Sequence, residues 1–177
     1  KLAGEVLTGS VSQLRDIAHE ISNVVFEQVT GTRGAFTSEI LYVVAEYMNP
    51  ERTNFRLEKA DYDGQRAQIL LESVEPIMSP SWSPTGRDVA YVSFETELPR
   101  IYIQNIATGD RRQITNYPNL NSSPEWSPDG TKLAMVLSKD GSPDIYVQDL
   151  TTNQLIRVTD HPLIDTEPSW TADSRSI

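Results

Sequence analysis

The 177-residue chain contains no cysteine. Disulfide frameworks, thiolate zinc sites and cysteine nucleophiles are thereby excluded, while the compartment stays open. Histidine occurs only twice, and 15 Lys and Arg stand against 25 Asp and Glu, a formal charge of −10. That balance argues against a nucleic-acid partner, since affinity for phosphate backbones comes largely from Lys and Arg. It suits basic proteins, cations or plain solubility. No long apolar run occurs, so no transmembrane segment is expected. The opening "KLAGEVLTGS" lacks the charged head, apolar stretch and cleavage site of a signal peptide, so any export signal is expected to be removed or to lie outside these residues. The nucleophile elbow G-x-S-x-G is missing, and "TGTRG" has neither the spacing nor the following helix of a phosphate loop.

Apolar residues make up 38% of the chain, enough for a core. Residues 10–30 read as one amphipathic helix, with Val11, Leu14, Ile17, Ala18, Ile21, Val24, Val25 and Val29 forming an apolar stripe. Ser10 and Gln13 have the spacing of a capping box, and Gly31 suits the left-handed residue past a helix end. Arg15, Asp16, His19, Glu20, Asn23 and Glu27 fill the polar face, which makes His19 a solvated histidine. Ahead of the helix, "GEVLTG" is expected to be the last turn or strand of an earlier element.

Beyond residues 31–37 the pattern changes to short β-branched and aromatic runs such as "ILYVVAEY", "DVAYVSFE", "RIYIQNI", "KLAMVLS" and "DIYVQDL". Turn chemistry separates them: Asn-Pro, Asp-Gly, Thr-Gly, Ser-Pro. A period of 44 residues relates Pro80, Pro124 and Pro168, Trp82, Trp126 and Trp170, Asp61, Asn105 and Asp149, Ile103 and Val147, and Thr115 and Thr159. Four strands per unit at such a period mark a β-propeller; a β-sandwich gives no reason for the identities. Each tryptophan is expected to pack between adjacent blades. Pro84 and Pro128 with Gly86 and Gly130 build tight turns, whereas Ala172 and Ser174 in the third copy predict a looser turn or one of another type. The fold class expected is mostly β: a partial propeller preceded by an amphipathic helix. About three blades fit within these residues, fewer than a ring needs, so the chain reads as a fragment.

The repeats "PSWSPTGRDVAYV" and "PEWSPDGTKLAMV", following "IAHEISNVVFEQVTGTRGAFTSEILYVV" (17–44), resemble the TolB family of the Tol–Pal system. The resemblance implies an N-terminal α/β domain, of which residues 1–34 are the end, and a six-bladed propeller of four-stranded blades, begun by residues 35–177. It implies a periplasmic docking protein without catalysis, serving outer-membrane integrity and cell division. Pal, the peptidoglycan-associated lipoprotein, is the implied partner, some colicins exploit the same surface, and TolA is contacted through an N-terminal extension missing here.

The connections into each inner strand, 74–80, 117–124 and 161–168, gather at one end with the hairpins 95–100 and 139–143. The resemblance places the Pal- and colicin-binding face there, on Leu120, Asn121, Ser122, Ser123, Asp165, Thr166 and Glu167, with Met78 and Ser79. Loops held on a rigid scaffold carry function disproportionately. No cofactor is expected; Glu125 and Glu167 are the carboxylates that would line an acidic channel for Ca²⁺. "DYDG" (61–64) departs from a calcium loop in its glycine and distal glutamate and reads as a hairpin turn. His161 with Asp160 and Asp165 lacks spacing that fixes a metal geometry. The alternative from another class is a TolB-like propeller accessory to a serine peptidase domain not contained in these residues.

Overall fold

The structure is a computed structural model that describes residues 6–49 and 52–177. The element foreseen in "GEVLTG" lies partly outside these residues, and Val6–Ser10 adopt no regular structure. A single 3₁₀ turn, Val11–Gln13, leads into α1 (Leu14–Thr30). The capping box forms, with the Ser10 N–H donating to Gln13 Oε1 at 3.0 Å. Gly31, at φ 76°, ends the helix in the left-handed conformation.

Eleven strands follow among the described residues: β1 (Glu39–Asn49), β2 (Arg52–Asp61), β3 (Gln68–Ser73), β4 (Ile77–Trp82), β5 (Asp88–Ser93), β6 (Arg100–Asn105), β7 (Arg111–Gln113), β8 (Asn121–Trp126), β9 (Lys132–Leu137), β10 (Asp144–Asp149) and β11 (Leu155–Arg157). They form three sheets in chain order, β1-β2-β3, β4-β5-β6-β7 and β8-β9-β10-β11. The paired strands of the two four-stranded sheets are antiparallel. Each four-stranded sheet is thus a meander, the blade of a propeller.

Two compact units are present: one holds α1, the chain up to Ile40, and Lys59–Gln68; the other comprises Leu41–Glu58 and Ile69–Ile177. In the first, the polar face of the helix makes the contacts. Val11, Leu14, Ile21, Val25 and Val29 of the apolar stripe are exposed, and the one fully buried helical residue is Asn23, 1% exposed. Its Oδ1 accepts the Phe36 N–H at 2.9 Å and its Nδ2 donates to Thr37 Oγ1 and Glu20 Oε2. His19 is not solvated either: its side chain is 12% exposed, 3.5 Å from Asp63 and edge-on to Tyr62. Arg15 pairs with Asp61 and Asp63, and Arg66 with Asp61 and Asp16. These polar contacts seat the polar face of the helix against residues 36–37 and 61–66 of the same unit.

The second unit shows why blades tolerate two apolar faces. Along β5, Val89 and Tyr91 join a cluster with Leu57, Ile77 and Tyr102, while Ala90 and Val92 join another with Ile101, Ile103, Trp126, Leu133 and Met135. Alternating residues of one strand therefore pack against successive blades, each buried aliphatic side chain contributing about 2 kcal/mol. Trp82 and Trp126 sit in these two inter-blade layers, as expected.

Repeated polar residues tie each blade internally. Thr115 Oγ1 accepts the Ile101 N–H at 3.0 Å, and Thr159 Oγ1 the Ile145 N–H at 2.9 Å. Asn105 Oδ1 and Asp149 Oδ1 each cap two backbone amides of the following turn. The third tight turn is not looser. Ser174 takes φ 61°, and its N–H bonds Thr171 O at 2.9 Å, as Gly86 bonds Ser83 O and Gly130 bonds Ser127 O. The Ser174 hydroxyl also accepts the Asp129 N–H at 3.0 Å, a contact that offsets the strain of the left-handed backbone.

Candidate functional site

The connections into the inner strands and the middle hairpins meet at one end of the blades, joined by hydrogen bonds. The Phe94 N–H reaches Pro76 O at 3.1 Å, Ser138 Oγ accepts the Leu120 N–H at 2.9 Å, and the Asp165 N–H reaches Pro143 O at 2.9 Å. Two buried charges, 44 residues apart, anchor the connections from below. Arg100 donates to Tyr117 O at 2.7 Å. Asp144, whose side chain is fully buried, accepts from Arg157, Ser142 and the His161 N–H. Burial pushes the Asp144 carboxyl up, but the Arg157 guanidinium and the His161 amide more than offset this, leaving its pKa below the ordinary aspartate range.

At this end a cavity of about 230 Å³ is lined by Ser79, Pro80, Ser123, Pro124, Glu125, Glu167 and Pro168. The lining is the 44-residue repeat seen end-on. Ser79, Ser123 and Glu167 occupy equivalent positions, and all three take left-handed backbones, at φ 48°, 48° and 56°. In the two four-stranded blades this coincides with a slip of register, between Met78 and Ser81 and between Ser122 and Glu125. Such a bulge turns side chains out of strict alternation, and left-handed non-glycine residues gather where structure serves recognition.

Of the residues singled out in the sequence, Ser79, Ser123 and Glu167 line the cavity together. Met78 is 52% exposed beside Ser79. Leu120, Ser122 and Asp165 are half-buried and Thr166 is exposed. Asn121 differs: it is 0% exposed, and its Nδ2 donates to Tyr117 O and Asn119 O. It holds the connection in shape and offers no surface. Glu125, read in the sequence only as a channel carboxylate, lines the cavity and accepts a hydrogen bond from Ser81 Oγ at 3.0 Å. Ser81 and Glu125 are themselves one period apart, a signal the sequence carried.

The turn at "DYDG" forms as expected, with Gly64 at φ 79° and its N–H on Asp61 O. His161 Nδ1 accepts the Leu163 N–H at 3.2 Å. Among the described residues no three His, Asp or Glu side chains are grouped to hold a metal ion, and no helix is long and apolar enough to cross a membrane.

A family model for the TolB beta propeller domain matches residues 26–177. A curated relative from Pseudomonas fluorescens (strain SBW25), named Tol-Pal system protein TolB, is 54% identical over 123 residues, 67% of this chain and 28% of that protein. The chain therefore spans under a third of the length of such relatives. The crystal structure of TolB from Acinetobacter baumannii superposes with a TM-score of 0.90 at 40% identity, covering 98% of this chain and 43% of that one. Puromycin hydrolase aligns over 70% of this chain and 21% of its own, with a TM-score of 0.57 and 17% identity, a likeness of fold alone. The family model over most of the chain, the identity to curated relatives and the superposed fold agree, and the chain belongs to the TolB beta-propeller family.

Proposed function

We propose that this chain is part of a non-catalytic, periplasmic docking protein of the Tol–Pal system, which binds Pal at the end of the blades where the cavity opens. One observation carries the reading: equivalent left-handed residues Ser79, Ser123 and Glu167 converge on a single cavity beside the exposed Thr166 and Met78. Kinship with proteins named for the Tol–Pal system supplies the partner. In this reading residues 1–34 end an α/β domain and 35–177 begin a propeller, TolA is met through an N-terminal extension, and colicins use the same mouth for import. The role is to support outer-membrane integrity and cell division. The experiment is a pull-down of the full-length protein with soluble Pal. Retention of Pal at physiological salt supports the reading. Failure to retain it, together with hydrolysis of peptide amides by the same protein, would favour instead a propeller accessory to a peptidase.

A further inference from the structure

The lining of the mouth is one-sided in charge. It contains two glutamates, two serines, three prolines and no Lys, Arg or His. Among the described residues the hydroxyls of Ser79 and Ser123, the Glu167 carboxylate and Glu125 Oε1 have no hydrogen-bond partner. Glu125 stands apart from the other lining residues by its tether, and it shares with Glu167 a departure from the repeat. Its Oε2 is tethered by the Ser81 hydroxyl across the seam between two blades, at 3.0 Å, so the side chain is held in place with its second oxygen free. It also breaks the repeat: the residues one period before and after it are Ser81 and Ser169. Framework positions such as Pro80, Pro124 and Pro168 keep their identity, and a carboxylate where the neighbouring repeats have serine is not needed to build a blade. No cation among the described residues compensates it, although partial burial of a charge is unfavourable until an opposite charge arrives.

We infer that the mouth accepts a cationic side chain, Lys or Arg, presented by the docking partner, and that Glu125 is the specificity-determining acceptor. The inference rests on the docking function proposed above and names the group it selects. Oε1 takes the new charge-assisted bond while Ser81 keeps Oε2 fixed, so little ordering is lost on binding. Ser79, Ser123 and Glu167 supply further acceptors around the same group.

The test is calorimetric titration of soluble Pal into the full-length protein and its Glu125→Gln and Ser81→Ala variants, at low and at high salt. Glutamine keeps an oxygen for the Ser81 bond and removes only the charge, so the fold is retained. Glu125→Gln is expected to weaken binding about tenfold and to flatten its salt dependence; Ser81→Ala, which leaves the carboxylate in place, is expected to bind within about threefold of the unaltered protein. No binding of Pal by the unaltered protein overturns the docking function and this inference together. Binding that Glu125→Gln leaves unchanged, with the same salt slope, overturns this inference alone. A loss on Ser81→Ala equal to that of Glu125→Gln overturns it too, by assigning the carboxylate to the blade seam.

Discussion

Thr115→Val isolates the framework role of the repeat. Thr115 is 1% exposed and its hydroxyl accepts the N–H of Ile101, itself 0% exposed, at 3.0 Å. Valine has nearly the same shape, so no cavity opens and the hydrophobic contacts survive. What is lost is one acceptor, leaving a buried backbone amide without a partner, a cost of about 1–3 kcal/mol. Thr151, exposed on the turn after β10, is the control, and Thr151→Val should change stability by less than about 0.5 kcal/mol. Urea unfolding followed by circular dichroism reads both, and a shifted midpoint at unchanged slope reports stability alone. Pal affinity of folded Thr115→Val should match the unaltered protein. If Thr115→Val is as stable as Thr151→Val, the 44-residue threonine is not holding the blade and the reasoning fails.

Three further outcomes follow from other parts of the structure. Gly34→Ala would place a Cβ 2.8 Å from Asn23 Oδ1 and from the Phe36 ring; it should destabilise the helix-bearing unit by about 1–3 kcal/mol, seen as loss of protection of α1 amides in hydrogen exchange. Trp126→Ala removes an 8%-exposed indole from the layer between two blades and should cost about 3–5 kcal/mol in chemical unfolding. Asp144 has a folded pKa below its ordinary value, so its stabilising share is present above the ordinary aspartate range and is lost as pH falls through the depressed folded value. The stability gap between the unaltered protein and Asp144→Asn should therefore be full near neutrality and shrink in acid, and a gap independent of pH would contradict the ion pair with Arg157.

Much of the architecture was legible because its causes are local or periodic. Gly31 ends a helix and Gly86 and Gly130 close turns through their own backbone freedom, and the 44-residue step of Pro, Trp and Thr reports one blade stacked on the next. The partners of the polar face of α1 were not legible, since Arg15, His19 and Asn23 meet Asp61, Asp63, Phe36 and Thr37, contacts that no helical period encodes. Ser174 hid a conserved turn geometry because its strain is relieved by an amide from Asp129, about one period away. At the site, Ser79, Ser123 and Glu167 were found by their place in the loops. Asn121 looked equally available, but its amide is turned inward to Tyr117 O and Asn119 O. The Ser81–Glu125 bond appears only when the strands of neighbouring blades are laid side by side.

The central claim is that the repeat builds the blades and the irregular residues at one end read a partner. Calorimetry of soluble Pal with the full-length protein carrying Asp165→Ala, Thr166→Ala and Glu167→Ala together tests it most directly, with Arg87→Ala and Thr151→Ala, exposed at the other end of the blades, as the control. The account predicts affinity lowered at least about tenfold by the first set, unchanged by the second, and equal melting behaviour for both. Unchanged affinity in the first set, or an equal loss in the second, would contradict it.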